Sequence, residues 1–380
     1  MRPFTSTIFA EMTALAAQTG AVNLGQGFPD TDGPPAMLER AQAAIAGGHN
    51  QYPPGPGIPE LRRAIAEHQA ACYGLSHDPE TEVLVTVGAT EAISAALLAL
   101  VDPGEEVLLI EPHYDSYPAA VALAGALRRC VPMVADGDRF TLDIDALSKM
   151  ITPATRALVL NSPHNPTGTV LRRAELERVS ELAIEHDLLV ITDEVYEHLV
   201  FDGTRHLPIA ALPGMAQRTL SVSSAGKTFS VTGWKIGWVC GPAHLVAAVR
   251  AAKQYLTFVG GAPFQPAVAH ALRTEQAWVA ALRAALERKR QRLATGLQAA
   301  GFTVHRSEGT YFICADVRPL GYADGQQFCL ELPERAGVVA VPVQVFVEDP
   351  ARWRHLVRFA FCKRDEVLDE AIARLSSARY

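Results

Sequence analysis

The stretch Val83-Leu-Val-Thr-Val-Gly-Ala-Thr-Glu-Ala-Ile-Ser-Ala-Ala-Leu-Leu-Ala-Leu100 decides the fold. Its first five residues are rich in β-branched and apolar side chains, which predicts a buried strand, and the small residues after them open a helical pattern. Further apolar runs predict strands over 106–110, 156–160, 188–192, 220–223 and 236–240. Because these runs are continuous rather than alternating, we expect strands that are covered on both faces. The chain therefore predicts an α/β fold with a mostly parallel sheet and helices on both faces.

The tail of the chain follows a different pattern. Residues 275–300 form one long helical pattern, and short strand-like runs over 302–305, 310–314, 338–341 and 355–361 precede a closing helix from Asp365. This order is typical of a smaller α+β domain. We therefore predict a large domain over 40–270 and a small domain built from 271–380 together with the N-terminal segment 1–39.

Composition and charge exclude several classes of protein. The 380 residues carry a net charge of −7, which is a poor match for a nucleic acid, and no apolar run approaches the ~18 residues of a membrane span. The beginning, Met1-Arg-Pro-Phe-Thr-Ser6, has no apolar core and predicts no secretory leader. The six cysteines lie at least fifteen residues apart. Their spacing predicts no metal site, and we expect reduced thiols in a cytoplasmic protein.

Polar residues stand where three of the predicted strands end, and ligands of parallel sheets bind at such ends. Gly88-Ala-Thr-Glu91 opens a helix whose N–H groups suit a phosphate, although an ordinary strand–helix turn has the same pattern. Asn161–Gly168 contains two prolines and a glycine, which hold the amide of Asn165 in a rigid loop. Asp193 and Tyr196 follow another strand. A carboxylate there needs a cation, either a structural Lys or Arg or a cationic ligand atom.

Two basic segments add further candidates. Ser224-Ala-Gly-Lys-Thr-Phe-Ser-Val-Thr-Gly-Trp-Lys235 holds two lysines eight residues apart and no acidic residue. A lysine that is desolvated or lies beside a second cation readily forms a Schiff base, which makes Lys227 a candidate nucleophile. Near the end of the chain, Arg358 stands in the apolar run 355–361. It requires a planar anion, either a structural carboxylate or that of a substrate.

In combination these groups resemble a family, the class I aminotransferases of fold type I, which use pyridoxal 5'-phosphate (PLP). The resemblance spans nearly the whole chain and is carried, in family order, by Asn23–Asp30, Asn50–Tyr52, Val85–Glu91, Glu111–Tyr114, Asn161–Gly168, Thr192–Tyr196, Ser223–Trp238 and Arg358-Phe359. The sequence is similar to the branch of kynurenine, glutamine and methionine aminotransferases, and it strongly resembles actinobacterial N-succinyldiaminopimelate aminotransferases. This resemblance implies the PLP-transferase fold and a transaminase of class EC 2.6.1.

The resemblance also implies the residues that hold the cofactor. Lys227 corresponds to the lysine that binds PLP as a Schiff base and moves the proton of the substrate Cα, and Asp193 corresponds to the partner of the pyridine nitrogen. Tyr196, the third implied catalytic residue, corresponds together with Asn165 to the donors to the ring 3-oxygen. The remaining implied contacts come from the ring-stacking Tyr114, from the phosphate ligands Ala89, Thr90, Ser224 and Lys235, and from Tyr52 of a second subunit. The contact from Tyr52 implies a homodimer with shared active sites.

The substrate contacts follow from the same resemblance. Arg358 corresponds to the clamp for the α-carboxylate, aided by Gly27 and Asn165. Several kynurenine-type relatives carry tryptophan where Phe9 stands, and Phe258 aligns with an aromatic residue that lines the neighbour's pocket. No arginine matches the one that aspartate aminotransferases use for a distal carboxylate, which argues against aspartate as the donor.

Two substrate classes remain open at this point. The resemblance implies N-succinyl-L,L-diaminopimelate as amino donor and 2-oxoglutarate as acceptor, in lysine biosynthesis. The alternative is a broad-range methionine, glutamine or kynurenine aminotransferase with cysteine-conjugate β-lyase activity. Both share the same first chemical steps, so the catalytic residues do not separate them.

Two other enzyme classes fit the sequence less well. Ser224-Ala-Gly-Lys227 matches the S-x-x-K pattern of penicillin-binding proteins and β-lactamases, but the sequence has neither the K-T-G nor the S-D-N partner. A dinucleotide-binding dehydrogenase requires G-x-G-x-x-G directly after a strand, and none occurs.

Overall fold

The computed structural model describes residues 7–380, so the leader prediction for Met1–Ser6 lies outside the described residues. The strands are, in chain order, β1 (Val22–Asn23), β2 (Val83–Val87), β3 (Glu106–Glu111), β4 (Leu127–Asp136), β5 (Arg139–Leu142), β6 (Thr155–Asn161), β7 (Leu189–Asp193), β8 (Thr219–Ser224), β9 (Ile236–Cys240), β10 (Thr303–Val304), β11 (Phe312–Asp316), β12 (Val338–Val339), β13 (Val341–Pro342) and β14 (Leu356–Ala360).

The helices alternate with these strands through the middle of the chain. They are α1 (Ile8–Thr19), α2 (Pro35–Ala46), α3 (Pro59–Tyr73), α4 (Gly88–Leu100), α5 (Ser116–Leu123), α6 (Ile144–Met150), α7 (Arg173–Glu185), α8 (Ala225–Thr228), α9 (Ala243–Lys253), α10 (Gln265–Thr274), α11 (Gln276–Ala299), α12 (Gly325–Ala336) and α13 (Asp365–Ser377). Within residues 7–380, no helix combines the length and the apolar character that crossing a bilayer requires.

The large sheet has eight strands in the order β2-β9-β8-β7-β6-β3-β4-β5. The central strands β8, β7, β6, β3 and β4 run parallel, which confirms the predicted α/β class. Strand β9 runs antiparallel to both of its neighbours, and β5 returns antiparallel beside β4. The hairpin of β4 and β5 escaped the sequence prediction because Leu127–Asp136 is exposed at both ends and contains charged residues rather than one apolar run.

Both faces of this sheet are apolar, because successive side chains of each strand pack against helices on opposite sides. In β3, Val107 and Leu109 pack under α4, α5 and α9, while Leu108 and Ile110 face the opposite layer with α7. Successive side chains of a strand point to opposite faces, so a strand covered twice must be apolar throughout. This explains why the buried strands were recognisable as continuous runs.

A second sheet lies in the C-terminal part, with the antiparallel order β10-β11-β14-β13. The N-terminal segment joins this part, since β1 pairs parallel with β12 and Met12 of α1 packs into the same core. The sequence predicted a division into two domains at residues 40 and 270, and both positions fall inside helices, α2 and α10. These two helices pack on each other and share one core with β2 and β9, so we propose two domains with the first boundary ahead of α2 and the second after α10.

The topology brings several polar residues to one edge of the large sheet. Strands β6, β7 and β8 are parallel and end at Asn161, Asp193 and Ser224. Strand β2 runs in the same direction, because it is antiparallel to β9 and β9 is antiparallel to β8. The start of α4 at Gly88 therefore lies at this same edge.

Candidate active site

A cleft of about 340 Å³ lies at this edge, against the small sheet. Its lining includes every predicted site residue except two. Those that line it are Phe9, Gly27, Ala89, Thr90, Tyr114, Asn165, Asp193, Tyr196, Ser224, Lys227, Lys235 and Arg358. The structure thus brings together residues that lie up to 349 positions apart in the chain, from Phe9 to Arg358.

The amine of Lys227 lies among aromatic rings in the middle of the cleft. Lys227 sits on the short helix α8, directly after the buried strand β8. Its Nζ is 5.5 Å from the ring centroid of Tyr311 and 5.8 Å from that of Tyr196. Desolvation lowers the pKa of Lys227 to about 8, against the smaller opposing effect of the Asp193 charge. A neutral amine, which is the nucleophilic form, is therefore accessible near neutral pH.

The carboxylate of Asp193 is buried and has no cationic partner among residues 7–380 within ion-pair distance. The Tyr117 hydroxyl donates to its Oδ2 at 2.5 Å, and the Val195 N–H donates to its Oδ1 at 3.3 Å. Burial raises the pKa of Asp193, and the hydrogen bond from Tyr117 only partly offsets this. A protonated ring nitrogen would provide the missing positive charge. The site thus fits the pyridine of PLP, as the resemblance implied.

The first residues of α4, from Gly88 to Thr90, line one part of the cleft. Gly88 has φ +74°, and a Cβ there would lie 3.3 Å from Nζ of Lys235, so the lysine amine rests against the helix start. A Cβ on Gly237 would lie 2.6 Å from the Gly88 carbonyl carbon. Both glycines therefore permit a close approach of β9 to this turn. Free N–H groups at a helix N-terminus, joined by an ammonium, form an anion site.

At the opposite end, Arg358 is 1% exposed and presents its guanidinium to the cleft. It donates from Nη1 to Oδ1 of Asn165 and from Nη2 to the Gly25 carbonyl, each at 2.9 Å. The guanidinium carbon lies 3.9 Å from the centroid of the Phe312 ring, and Nε has no acceptor among residues 7–380. Burial lowers the pKa of Arg358. A buried cation that has an unused donor, and no carboxylate within ion-pair distance in the described part of the chain, is suited to an anionic ligand.

Tyr52 and Phe258 do not reach the cleft of their own chain. Tyr52 is 81% exposed and Phe258 is 38% exposed, and the two rings contact each other edge to face at 5.5 Å between centroids. Their roles stay predictions, because both were expected to act in the site of a neighbouring subunit.

The structure adds residues that the sequence reasoning missed. Tyr117 binds Asp193 directly, and Tyr311 donates to the Gly27 carbonyl at 2.5 Å. Asn161 accepts from the Asn165 N–H and donates to the Asp193 carbonyl, which ties two loops together. Nothing in the sequence singled these residues out, because their partners lie in distant segments of the chain.

The fold and the site define a PLP-dependent aminotransferase, and comparison with known proteins shows the same class. Residues 19–375 match the model of the family "Aminotransferase class I and II", so the chain belongs to this family. Enzymes of this family use PLP, and the chain is a transaminase of class EC 2.6.1. It acts on an amino donor and a 2-oxo acid acceptor.

Individual relatives place the chain within the family. It is 65% identical over 385 residues to a probable N-succinyldiaminopimelate aminotransferase of Mycobacterium tuberculosis, covering 99% of this chain and 97% of that protein. A solved structure of N-succinyldiaminopimelate aminotransferase from M. tuberculosis superposes with a TM-score of 0.97 at 66% identity, covering 99% of this chain and 98% of that one. The methionine aminotransferase of Escherichia coli is 40% identical over 370 residues, covering 97% of this chain and 95% of that protein.

Proposed function

We propose that this aminotransferase takes its amino group from N-succinyl-L,L-diaminopimelate and transfers it to 2-oxoglutarate. The observation that carries this proposal is the 65% identity to the M. tuberculosis protein over nearly the full length of both chains. Identity to the methionine aminotransferase is much lower, at 40%. A pathway role in lysine biosynthesis and a cytoplasmic location follow as parts of the same proposal.

We assign the cofactor contacts from the geometry of the cleft. Lys227 would hold PLP covalently, Asp193 would face its ring nitrogen, and Tyr196 with Asn165 would donate to its 3-oxygen. Tyr114 would cover the ring, and the phosphate would bind the group formed by Ala89, Thr90, Ser224 and Lys235. When bound, PLP supplies a ring that accepts the electron pair left on the amino acid Cα after proton loss.

The protein residues then divide the work of proton transfer and positioning. The free amine of Lys227 would take the proton from the substrate Cα and deliver it to C4′ of the cofactor. Its lowered pKa suits this exchange, because a base with a pKa near the working pH both accepts and releases a proton readily. The carboxylate of Asp193, which the Tyr117 hydroxyl holds in place, would stabilise a positive charge on the ring nitrogen.

Arg358 is assigned to the α-carboxylate of both donor and acceptor. Replacing it by lysine in Arg358→Lys is expected to raise KM for amino donors about 10- to 100-fold, since a charge-assisted bidentate bond contributes about 1.5–3 kcal/mol. The effect on kcat should be smaller. Steady-state kinetics with several donors checks this result. The matched control is Arg354→Lys, because Arg354 is an exposed partner of Asp324 outside the cleft. An unchanged KM for every donor would place the carboxylate clamp elsewhere.

Among residues 7–380, the cleft lining contains no further cation that could bind the distal carboxylate of the succinyl group. The basic side chains that line the described cleft are Lys227, Lys235 and Arg358, and each has a role above. Polar groups without charge remain near them, among them the amide of Gln26 and the hydroxyl of Ser116. We therefore propose that uncharged donors, or residues of a second subunit, bind the distal group.

The proposal also includes active sites that are shared between two subunits. Tyr52 and Phe258 form an exposed aromatic pair outside their own cleft. Large exposed aromatic side chains in contact with each other are common at protein interfaces. We propose that the pair enters the cleft of a second copy in a homodimer, where Tyr52 would reach the phosphate.

A broad-range methionine, glutamine or kynurenine aminotransferase is the second candidate. The cleft is lined in part by the aromatic residues Phe9, Phe28 and Phe312, which favour apolar donor side chains. The cysteine-conjugate β-lyase activity belongs to this candidate.

A donor screen separates the two candidates. Holoenzyme is mixed with one amino donor at a time and no acceptor, and the loss of cofactor absorbance is followed by stopped flow. The donors are N-succinyl-L,L-diaminopimelate, glutamate, methionine, glutamine, kynurenine and aspartate. We expect the succinylated donor to exceed methionine, glutamine and kynurenine at least about tenfold in kcat/KM, which corresponds to about 1.4 kcal/mol of transition-state binding. Faster reaction with methionine, glutamine or kynurenine would select the second candidate.

A further inference from the structure

Two histidines and a glutamate meet on the side of α3 that faces the turn after β7. Nε2 of His68 and Nε2 of His198 are 2.8 Å apart, although the residues lie 130 positions apart in the chain. Glu197 completes the group, since one potential ligand atom of each residue lies within 4.8 Å of the others. His68 is 9% exposed and Glu197 is 3% exposed.

The carboxylate of Glu197 is only half used by the protein. The Ser223 hydroxyl donates to its Oε1 at 2.5 Å. Oε2 is buried and makes no well-formed hydrogen bond. The Tyr73 hydroxyl lies close to this carboxylate: burial raises the pKa of Tyr73, and the charge of Glu197 raises it further. A buried carboxylate oxygen without a donor has a large desolvation cost unless a cation compensates it. Oε2 of Glu197 therefore keeps an unused acceptor position beside the histidine pair, which also points to a positively charged ligand.

We infer that His68, Glu197 and His198 form a zinc site, with Nε2 of both imidazoles and Oε2 of Glu197 as ligands. Two nitrogens and one carboxylate oxygen are a ligand set that Zn²⁺ prefers, and proteins with three such ligands leave a fourth position for water. Nitrogens bound to tetrahedral zinc at about 2.0–2.1 Å lie about 3.3–3.4 Å apart. The two rings must therefore separate by roughly half an ångström from their hydrogen-bonded distance.

The surroundings of the site allow this ligand. The fourth position faces a cavity of about 600 Å³, separate from the catalytic cleft and lined by Cys72, Thr204 and His206 among others. The two Nε2 atoms face each other, and one ligand atom of each of the three residues lies within 4.8 Å of the others, so a single ion can contact all three. His206 in the cavity lining is paired with the carboxylate of Glu194, with 3.1 Å between its Nε2 and Oε2 of Glu194.

The zinc site connects α3 to the segment that carries the catalytic residues. Glu197 directly follows Tyr196. Its hydrogen-bond partner Ser223 directly precedes Ser224, one of the residues that we assigned to the cofactor phosphate. A bound ion would fix α3 against both strand ends and stabilise the folded chain, since a ligand of the native state alone raises the unfolding free energy. This inference stands apart from the proposed donor, because it uses neither the cleft nor the substrate. The sequence predicted no metal site from the spacing of the cysteines, and none of the three proposed ligands is a cysteine.

Isothermal titration of metal-free holoenzyme with ZnCl₂ tests the site. We expect one Zn²⁺ per chain and a higher Tm with zinc than without it, while Mg²⁺, which prefers octahedral oxygen ligands, leaves the Tm unchanged. His68→Gln and His198→Gln should each weaken zinc binding at least about 100-fold. Loss of a residue that only hydrogen-bonds a metal ligand already weakens binding about 10- to 100-fold, and loss of a ligand itself should cost more. The control His244→Gln, on the exposed face of α9, should bind zinc as the wild type does.

A second measurement uses only the wild-type enzyme and therefore tests the site even if a histidine variant folds poorly. Wild-type enzyme loaded with Co²⁺ should show the intense visible absorption of a four-coordinate ion, and zinc X-ray absorption should show two imidazole ligands. Zinc binding that is absent in the wild type, or that survives both histidine substitutions, would overturn the site. The close approach of the two rings would then be a hydrogen bond between their Nε2 atoms and nothing more.

Discussion

Lys227→Ala is expected to lower turnover by about 10³- to 10⁴-fold or more, while PLP still binds without a covalent bond. The substitution removes both the covalent attachment and the base that moves the Cα proton, and acid–base catalysis alone contributes about 10²- to 10⁴-fold. Single-turnover absorbance with a saturating donor measures the loss. Partial recovery on addition of methylamine would show that the missing function is a free amine. A variant that transaminates at the wild-type rate would remove Lys227 from the mechanism.

The matched control for this prediction is Lys149→Ala, since Lys149 lies in the last turn of α6, away from the cleft. The wild-type chain provides a second check through pH. Desolvation lowers the pKa of Lys227 from 10.5 to about 8, so the neutral amine becomes the major form above about pH 8. Covalent capture of PLP by the apo-enzyme, trapped with borohydride and read by mass spectrometry, should rise with pH and level off above about 8. A rate that keeps rising to pH 10 would contradict the lowered pKa.

Asp193→Asn is expected to slow removal of the Cα proton by about 10²- to 10³-fold or more, with little change in the fold. Asparagine keeps the volume of the side chain but removes the charge that stabilises a protonated ring nitrogen, and a single preorganised electrostatic group of this kind contributes about 10²- to 10³-fold. Single-turnover rates with a donor deuterated at Cα check the result. The variant should show a larger isotope effect, because proton removal becomes the slow step.

Two further variants define the role of this carboxylate. Asp193→Ala should be at least as slow as Asp193→Asn, and Asp193→Glu should recover part of the rate because it restores the charge. The surface substitution Asp369→Ala serves as control, since Asp369 pairs with Arg292 on the outside of α13. If Asp193→Asn reacts at the wild-type rate, the ring nitrogen is not held by this residue.

The polar residues at the ends of the buried strands were predictable because they interrupt otherwise continuous apolar runs. A strand covered on both faces must be apolar throughout, so Asp193 at the end of β7 and Arg358 within β14 stand out as residues that need a partner. Shape-fixing residues in the loop of Asn165 and the small residues at Gly88 add to the signal. The order of these residues along the chain carried the resemblance to aminotransferases, which the family match confirms.

Contacts between distant segments had no such signal. Tyr117 and Asp193 are 76 positions apart, and Arg358 and Gly25 are 333 positions apart. Strand β4 is exposed at both ends and β5 has only four residues, so neither forms the long apolar run that marks the other strands. Tyr52 and Phe258 align with residues of shared sites, yet one chain leaves both on its surface.

The sequence alone predicts the class of fold, the large-domain strands except the β4–β5 hairpin, and the chemical groups that line the cleft, because burial and backbone constraints act on neighbouring residues. Which of those groups meet is visible only in the folded chain, which places Tyr117 against Asp193 and His68 against His198 and Glu197. Those pairings depend on how strands order themselves in the sheet and where helices pack on it. Side chains that are far apart in sequence acquire their pKa values and partners only when that packing removes them from water.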